Sequence, residues 1–167
     1  MKQPDKQGLP LRFYLRDDGE TIAVLLREIK YLTSMGYVTV PAGFESDGCS
    51  MPRFFWRVFG HPFSMAFLRE AILHDWLYRE QPCDRLAADR IFREELTESA
   101  DRRRMAIRIK LNMDRPYISD KAFDKEYQRR IRKADILSGW QIFCIYAGLR
   151  WFGGYAWERN KRKKETK

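Results

Sequence analysis

The sequence predicts an α+β protein, with a small N-terminal antiparallel sheet followed by a mostly helical C-terminal bundle. Three observations predict it. Residues 11–44 alternate short β-branched and aromatic runs with turn signals, which is the pattern of strands and hairpins. From residue 63 onward apolar residues recur at helical spacing. A length of 167 residues with 44% hydrophobic content suits one domain around one core and excludes a disordered polyelectrolyte.

The elements follow in order. Residues 1–10 are polar and punctuated by Pro and Gly, so a flexible N-terminus is expected; they lack the apolar stretch of a secretory leader. Leu11–Arg16 reads as a strand, Asp17-Asp18-Gly19-Glu20 as a turn, and Thr21–Tyr31 as a second extended run. Thr33-Ser34-Met35-Gly36 makes another turn, and Tyr37–Val40 is a β-branched strand stopped by Pro41. Residues 45–60 read as a loop and a short helix, with Ser50 as N-cap, Pro52 in the first turn and Gly60 as the stop. Helices are expected at about 64–80, 84–99, 101–112, 120–134 and 136–157, the single domain ending near residue 160. A flexible basic tail, 158–167, would follow.

Charge is unevenly placed. The chain has 32 Lys and Arg against 23 Asp and Glu, a net +9, but residues 1–100 balance at −2 and residues 101–167 at +11. Cys49, Cys83 and Cys144 are odd in number and widely spaced, which excludes a disulfide scaffold and a Cys-rich zinc site and favours reduced thiols in a cytoplasmic setting.

The pair of helices around Gln81-Pro82 carries the most chemistry. Phe67, Ala71, His74 and Tyr78 fall on one stripe of the first helix. Leu86, Asp89, Phe92 and Leu96 fall on one stripe of the second, which Asp84 would cap. An antiparallel hairpin turning between residues 81 and 82 sets His74 opposite Asp89 and Tyr78 near Arg85. A carboxylate in an apolar interface needs a partner, since unpaired burial of charge is costly. An imidazole facing it serves either as a device that orients the hairpin or as a general-base unit. The chain has only two histidines, and Asp75 adds a second carboxylate about 100° further round the helix. His74, Asp89 and Tyr78 are therefore the candidate catalytic group. Asp75 is a candidate metal ligand.

The segment Glu45–Arg53 is the expected companion to this group. Asp47 would add a carboxylate to a cation, Ser50 a hydroxyl and Arg53 an anion contact. Each has an ordinary structural reading as well: an Asp-Gly turn, an N-cap and a surface ion pair. Ser50 lacks the flanking glycines of a nucleophile elbow, and Cys49 has no base beside it in sequence. His61, between Gly60 and Pro62, is expected at a boundary. If a metal binds, an oxygen-rich set favours Ca²⁺ or Mg²⁺ over Zn²⁺.

Four segments together resemble a phage and prophage family known as domain of unknown function 1353. They are VPAGFESDGCSMPR (40–53), HDWLYR (74–79), ADRIF (88–92) and GLRWFGGYAW (148–157). The family pattern is VPAGFxTDxASVPR, HDxLYR, ADxxF and VRxFG, in that order; here Gly48-Cys49 and Met51 replace the commoner residues. The resemblance implies a phage or prophage origin and supplies no activity. A shorter resemblance, HDxxY followed by ADxxF, is to phospholipase A2 active sites. It implies His74 as the water-activating base, Asp75 as a calcium ligand, Asp89 as the carboxylate behind the imidazole and Tyr78 as its supporting hydrogen bond. The usual glycine-rich calcium loop is not recognisable here.

The basic region divides in two. Arg102-Arg103-Arg104, Arg108, Lys110, Arg129-Arg130, Arg132 and Lys133 are interleaved with Met, Ile and Tyr, and Lys161–Lys164 form a run. Such patches suit nucleic-acid phosphates or an anionic membrane surface, though no base-reading motif accompanies them. Residues 136–157 are long enough to span a bilayer, but Gln141 and Arg150 sit inside the segment, and an arginine at the bilayer centre costs roughly 2.5–3.5 kcal/mol. A core helix covering the hairpin is the first expectation and an interfacial segment the second.

Three functions are compatible with these readings. The first is a phage-derived, hydrolase-like protein, with or without a divalent cation, acting on lipid or envelope substrates. The second is a non-catalytic accessory or virion-assembly protein that contacts phage structural proteins. The third is a nonspecific binder of nucleic acid or anionic surfaces. The expected location is the host cytoplasm, peripherally on its membrane, or the virion.

Overall fold

The computed structural model describes residues 8–17, 19, 21–46, 67–114 and 119–166. It is an α+β fold, sheet first and helices after. The order is β1 (Leu11–Leu15), β2 (Thr21–Leu25), β3 (Ile29–Thr33), β4 (Gly36–Val40), β5 (Glu45–Ser46), α1 (Leu68–Glu80), α2 (Arg85–Asp114), α3 (Asp120–Lys133) and α4 (Gly139–Glu165).

The long run expected over Thr21–Tyr31 is two strands, because the chain turns at Leu26-Arg27-Glu28. The pairing accordingly falls into two antiparallel ladders: β1-β2-β5, with Ala23 opposite Ser46, and β3-β4, with Tyr31 opposite Val38. Alternation orients β3: Ile29 and Tyr31 are buried while Lys30 and Leu32 face out. The tight turn into β4 closes through Thr33, whose hydroxyl donates to the Gly36 carbonyl at 2.9 Å, and Gly36 takes φ 99°, which suits a residue without Cβ.

Helix α1 ends at Gln81 in the left-handed conformation, just before Pro82, and its amide bonds the Leu77 carbonyl. Asp84 caps α2, its carboxylate accepting from the Ala87 amide at 2.7 Å. The two helices expected over 84–112 are one helix of 30 residues, since nothing between Ser99 and Arg102 breaks a helix. Helix α4 opens with a capping box in which Ser138 and Gln141 bond each other's backbone amides at 3.3 and 2.8 Å. It runs on to Glu165, so the expected flexible tail is helical. Asn160 donates to the Tyr78 carbonyl at 3.2 Å, and Lys164 bonds the Glu80 carbonyl, which fastens this extension to the end of α1.

Helix α1 lies between two apolar clusters. One face meets Leu25, Ile29, Tyr31, Val38 and Val40 of the sheets through Ile72, Leu73 and Leu77. The other meets Phe92 and Leu96 of α2 and Ile142, Ile145 and Leu149 of α4 through Phe67 and Ala71. Tyr31 ties sheet to helix, its hydroxyl donating to the Arg69 carbonyl at 2.7 Å. Leu86, expected in the hairpin interface, is exposed. It stands some 60° round the helix from Asp89 on the side away from Phe92, so the buried arc passes it and takes Ala88 and Ile91 instead. Residues 136–157 do cover the hairpin: α4 packs on α1 and α2. No described helix is long and apolar enough to cross a membrane.

Candidate functional site

The site is a carboxylate on one helix surrounded by three donors from two others. Asp89, on the buried face of α2, is 0% exposed. His74, on the facing side of α1, sets Nε2 3.1 Å from Asp89 Oδ1. Tyr78, one turn further along α1, donates its hydroxyl to the same oxygen at 2.6 Å. Arg150 of α4 reaches in from the third side and donates Nη1 to Asp89 Oδ2 at 2.7 Å. His74 stands between the rings of Phe92 and Tyr78, with centroids 4.6 and 4.3 Å away, and is 3% exposed.

The chemistry of the partners sets the protonation. Burial would raise the Asp89 carboxyl, but hydrogen bonds from His74, Tyr78 and Arg150 more than offset it and hold the group below the usual carboxylate range. Burial lowers His74 despite the carboxylate beside it, so the imidazole is neutral at pH 7. Burial first, and then Asp89, push the Tyr78 phenol well up. An ionised carboxylate only accepts, so Nε2 of the neutral His74 carries the ring proton. The lone pair is then on Nδ1, which makes no hydrogen bond to any described residue. That is the arrangement of a base whose tautomer is fixed from behind.

Asp75 faces elsewhere. It bonds the hydroxyl of Ser46 in β5 and so links α1 to the sheet. Asp47, Ser50 and Arg53 lie outside the described residues, as do Cys49 and His61. Cys83 and Cys144 are free thiols. Among the described residues, no three His, Cys, Asp or Glu side chains are grouped as metal ligands. A hard cation takes six to eight oxygens; at this position the Asp75 carboxylate is bonded to the Ser46 hydroxyl.

Sequence reasoning pairs His74 with Asp89 but misses Arg150 and Gly153. Arg150 reads as an interruption in an apolar helix; in the fold it is the counter-ion of Asp89, with its side chain 29% exposed. Its signal is legible in hindsight. It is the one charged residue between Gly139 and Trp157, and a cation inside such a stretch needs an anion. Gly153, one turn beyond Arg150, is where Tyr78 meets α4. The segments 74–79, 88–92 and 148–157 thus converge on a single carboxylate. Two further buried acids, Glu70 and Glu95, lie outside this group, and burial raises Glu70.

The expected basic surface is largely spoken for in its first part. Arg103 and Arg104 donate to the Ala134 and Leu137 carbonyls, each at 2.6 Å, closing the turn between α3 and α4. Arg102 pairs with Glu98, and Arg129 and Arg130 share Glu126, which holds that carboxyl down at about 2.

Over 37 residues the chain is 43% identical to a protein of Sinorhizobium fredii (strain NBRC 101917 / NGR234), "Uncharacterized protein y4jT". The aligned stretch covers 22% of this chain and 11% of that protein, so the chain spans a small part of its relative's length. No solved structure matches. Residues 23–107, from β2 through most of α2, match the model of a family described as "Protein of unknown function (DUF1353)". That span is just over half the chain and holds His74, Asp75, Tyr78 and Asp89, and this chain belongs to that family.

Proposed function

We propose that the chain is a phage- or prophage-derived, hydrolase-like protein in which His74 activates water. One observation carries this reading: Asp89 fixes the Nε2–H tautomer of a neutral, buried imidazole and leaves the basic lone pair on Nδ1. Tyr78 supports the same carboxylate, which is the pattern of the phospholipase A2 resemblance. In an ester hydrolysis His74 Nδ1 takes a proton from water as the oxygen attacks the carbonyl carbon. The bond to the leaving alkoxide breaks, and His74 returns the proton to it. Asp89 stays ionised throughout, held by Arg150. Ester substrates in lipids or the cell envelope suit this chemistry, with action in the host cytoplasm, at its membrane or from the virion. A Ca²⁺ or Mg²⁺ at Asp75 and Asp47 is an extension of the proposal, and no step above runs through it.

A second reading has its own observation. Asp89 is fully buried, both oxygens are taken, and its three donors come from two helices other than its own. Such a network clamps α1, α2 and α4 together with no chemistry at all. The same burial that keeps His74 neutral also restricts water. Under this reading the protein is a non-catalytic accessory or virion-assembly factor that works through its surface. Nonspecific nucleic-acid binding has less behind it, because Arg102, Arg103, Arg104, Arg129 and Arg130 are engaged within the protein.

The deciding experiment compares the full chain with His74→Gln on short-chain esters and on phospholipid vesicles, with and without Ca²⁺. Loss of a general base costs about 10²–10⁴-fold in rate. The hydrolase reading expects such a loss with folding retained by circular dichroism. Turnover that is absent in the parent chain, or equal in the variant, overturns it and leaves the clamp.

A further inference from the structure

We infer that the outer face of α4 docks the protein onto an anionic lipid surface. The inner face of α4 is conventional: Ile142, Ile145, Leu149 and Gly153 are buried at helical spacing against α1 and α2. The opposite face should then be polar, and it is not. Trp140 (71% exposed), Phe143 (54%), Trp151 (83%) and Tyr155 (76%) project from it. Trp140 and Phe143 stack with centroids 5.6 Å apart. At 1.5 Å per residue this row extends about 23 Å along the helix. A large aromatic side chain carries roughly 150–250 Å². Four of them, mostly exposed, sum to about 400–700 Å² of apolar surface, the size of patch that in a monomer often marks an interaction site.

The placement of charge selects the occupant. From Gly139 to Trp157 the only charged residue is Arg150, and it is bound to Asp89. The cations of α4 are at its far end: Arg159, Lys161, Arg162 and Lys163 are interspersed with little acid, and 161–163 are all exposed. A nucleic-acid strand would need cations along the row of rings to follow its phosphates, with the rings stacking on bases. Here the rings are uncharged and the cations stand to one side. That is the layout of a helix lying in the plane of a bilayer interface. Trp and Tyr then settle at headgroup depth, and Lys and Arg meet anionic headgroups at about 1 kcal/mol each. No described helix is long and apolar enough to cross a membrane, and the inferred contact is one made by the surface of α4. The inference stands on α4 alone and does not require hydrolysis.

The test is flotation of the full chain with phosphatidylcholine vesicles and with vesicles containing phosphatidylglycerol. Binding is expected to the anionic vesicles and to weaken with salt. It should fall at least tenfold in Trp140→Ser/Trp151→Ser/Tyr155→Ser, and comparably in Arg159→Gln/Lys161→Gln/Arg162→Gln/Lys163→Gln, with the melting temperature unchanged because these side chains are exposed. Absence of flotation overturns the inference, as does flotation that the triple variant retains. Two other outcomes also overturn it when vesicles do not bind. One is single-stranded DNA binding abolished by the triple variant, and the other is a dimer by light scattering that the triple variant dissociates.

Discussion

A Cβ built on Gly153 would lie 2.5 Å from the Tyr78 hydroxyl, the same hydroxyl that donates to Asp89 at 2.6 Å. The close approach of α4 to α1 therefore depends on the absence of a side chain at this one position. Gly153→Ala must displace either the helix or the Tyr78 ring, and with it a hydrogen bond to a buried charge. Bonds of that kind contribute about 1.5–3 kcal/mol. Urea denaturation should show a loss of that order. If Tyr78→Phe is already present, Gly153→Ala should cost much less, because the clashing oxygen is gone; equal costs in both backgrounds would mean the helix, not the tyrosine, gives way.

Arg150 is the cation that permits Asp89 to be charged at 0% exposure. Removing one partner of a buried pair costs about 3–5 kcal/mol, and the partial exposure of Arg150 places it near the lower end. Arg150→Met should accordingly destabilise by about 3 kcal/mol. Arg150→Met/Asp89→Asn should recover part of that loss, since the uncompensated charge is removed. With Arg150 gone, the carboxylate also acts on His74 undiluted, so the imidazole should titrate higher by NMR. A double variant as unstable as the sum of the singles would deny the coupling.

Acid should weaken the fold in two steps of the same sign. His74 is lowered by burial, so below about pH 6.5 the unfolded chain takes up a proton that the folded chain resists, and stability falls. Asp89 is held below the usual range, so its contribution is present above about pH 3.9 and is lost as pH falls through its folded value. Glu70, raised by burial, works in the opposite direction and regains stability on protonation. Melting temperature should thus decline from pH 7 toward pH 5, and His74→Gln should flatten that window. A parent chain with a level profile there would contradict the buried neutral imidazole. Under the hydrolase reading, activity should persist below pH 6.5, because His74 stays unprotonated further into acid than free imidazole.

Tyr31 donates a side-chain hydrogen bond from the sheets to the α1 backbone, through the Arg69 carbonyl. Burial pushes its phenol well up, so it remains a donor at any ordinary pH. Tyr31→Phe keeps the ring in the core and leaves the carbonyl without that donor, which should cost about 1 kcal/mol. Urea titration reads this directly. No change would mean that the carbonyl finds another donor.

The amino-acid sequence alone determined the fold class, the hairpin and the pairing of His74 with Asp89. All of these follow from local periodicity and a short turn, and Pro82 with the Asp84 cap fixes where the two helices reverse. The same local signals could not separate two strands within Thr21–Tyr31, because a turn at Leu26-Arg27-Glu28 carries no Gly or Pro. Nor could they join 84–99 to 101–112, since helices have no signal for continuing, only for stopping. Tertiary structure decided the rest. Arg150 and Asp89 are 61 residues apart, and only the packing of α4 on the hairpin brings a cation to that carboxylate. It also decided which face of α4 is inside. A row of Trp and Tyr reads as core in a sequence, and here the core is filled by Ile142, Ile145 and Leu149 while the rings face out. Hydrophobicity says that a side chain leaves water; which surface receives it depends on what the other helices have already buried.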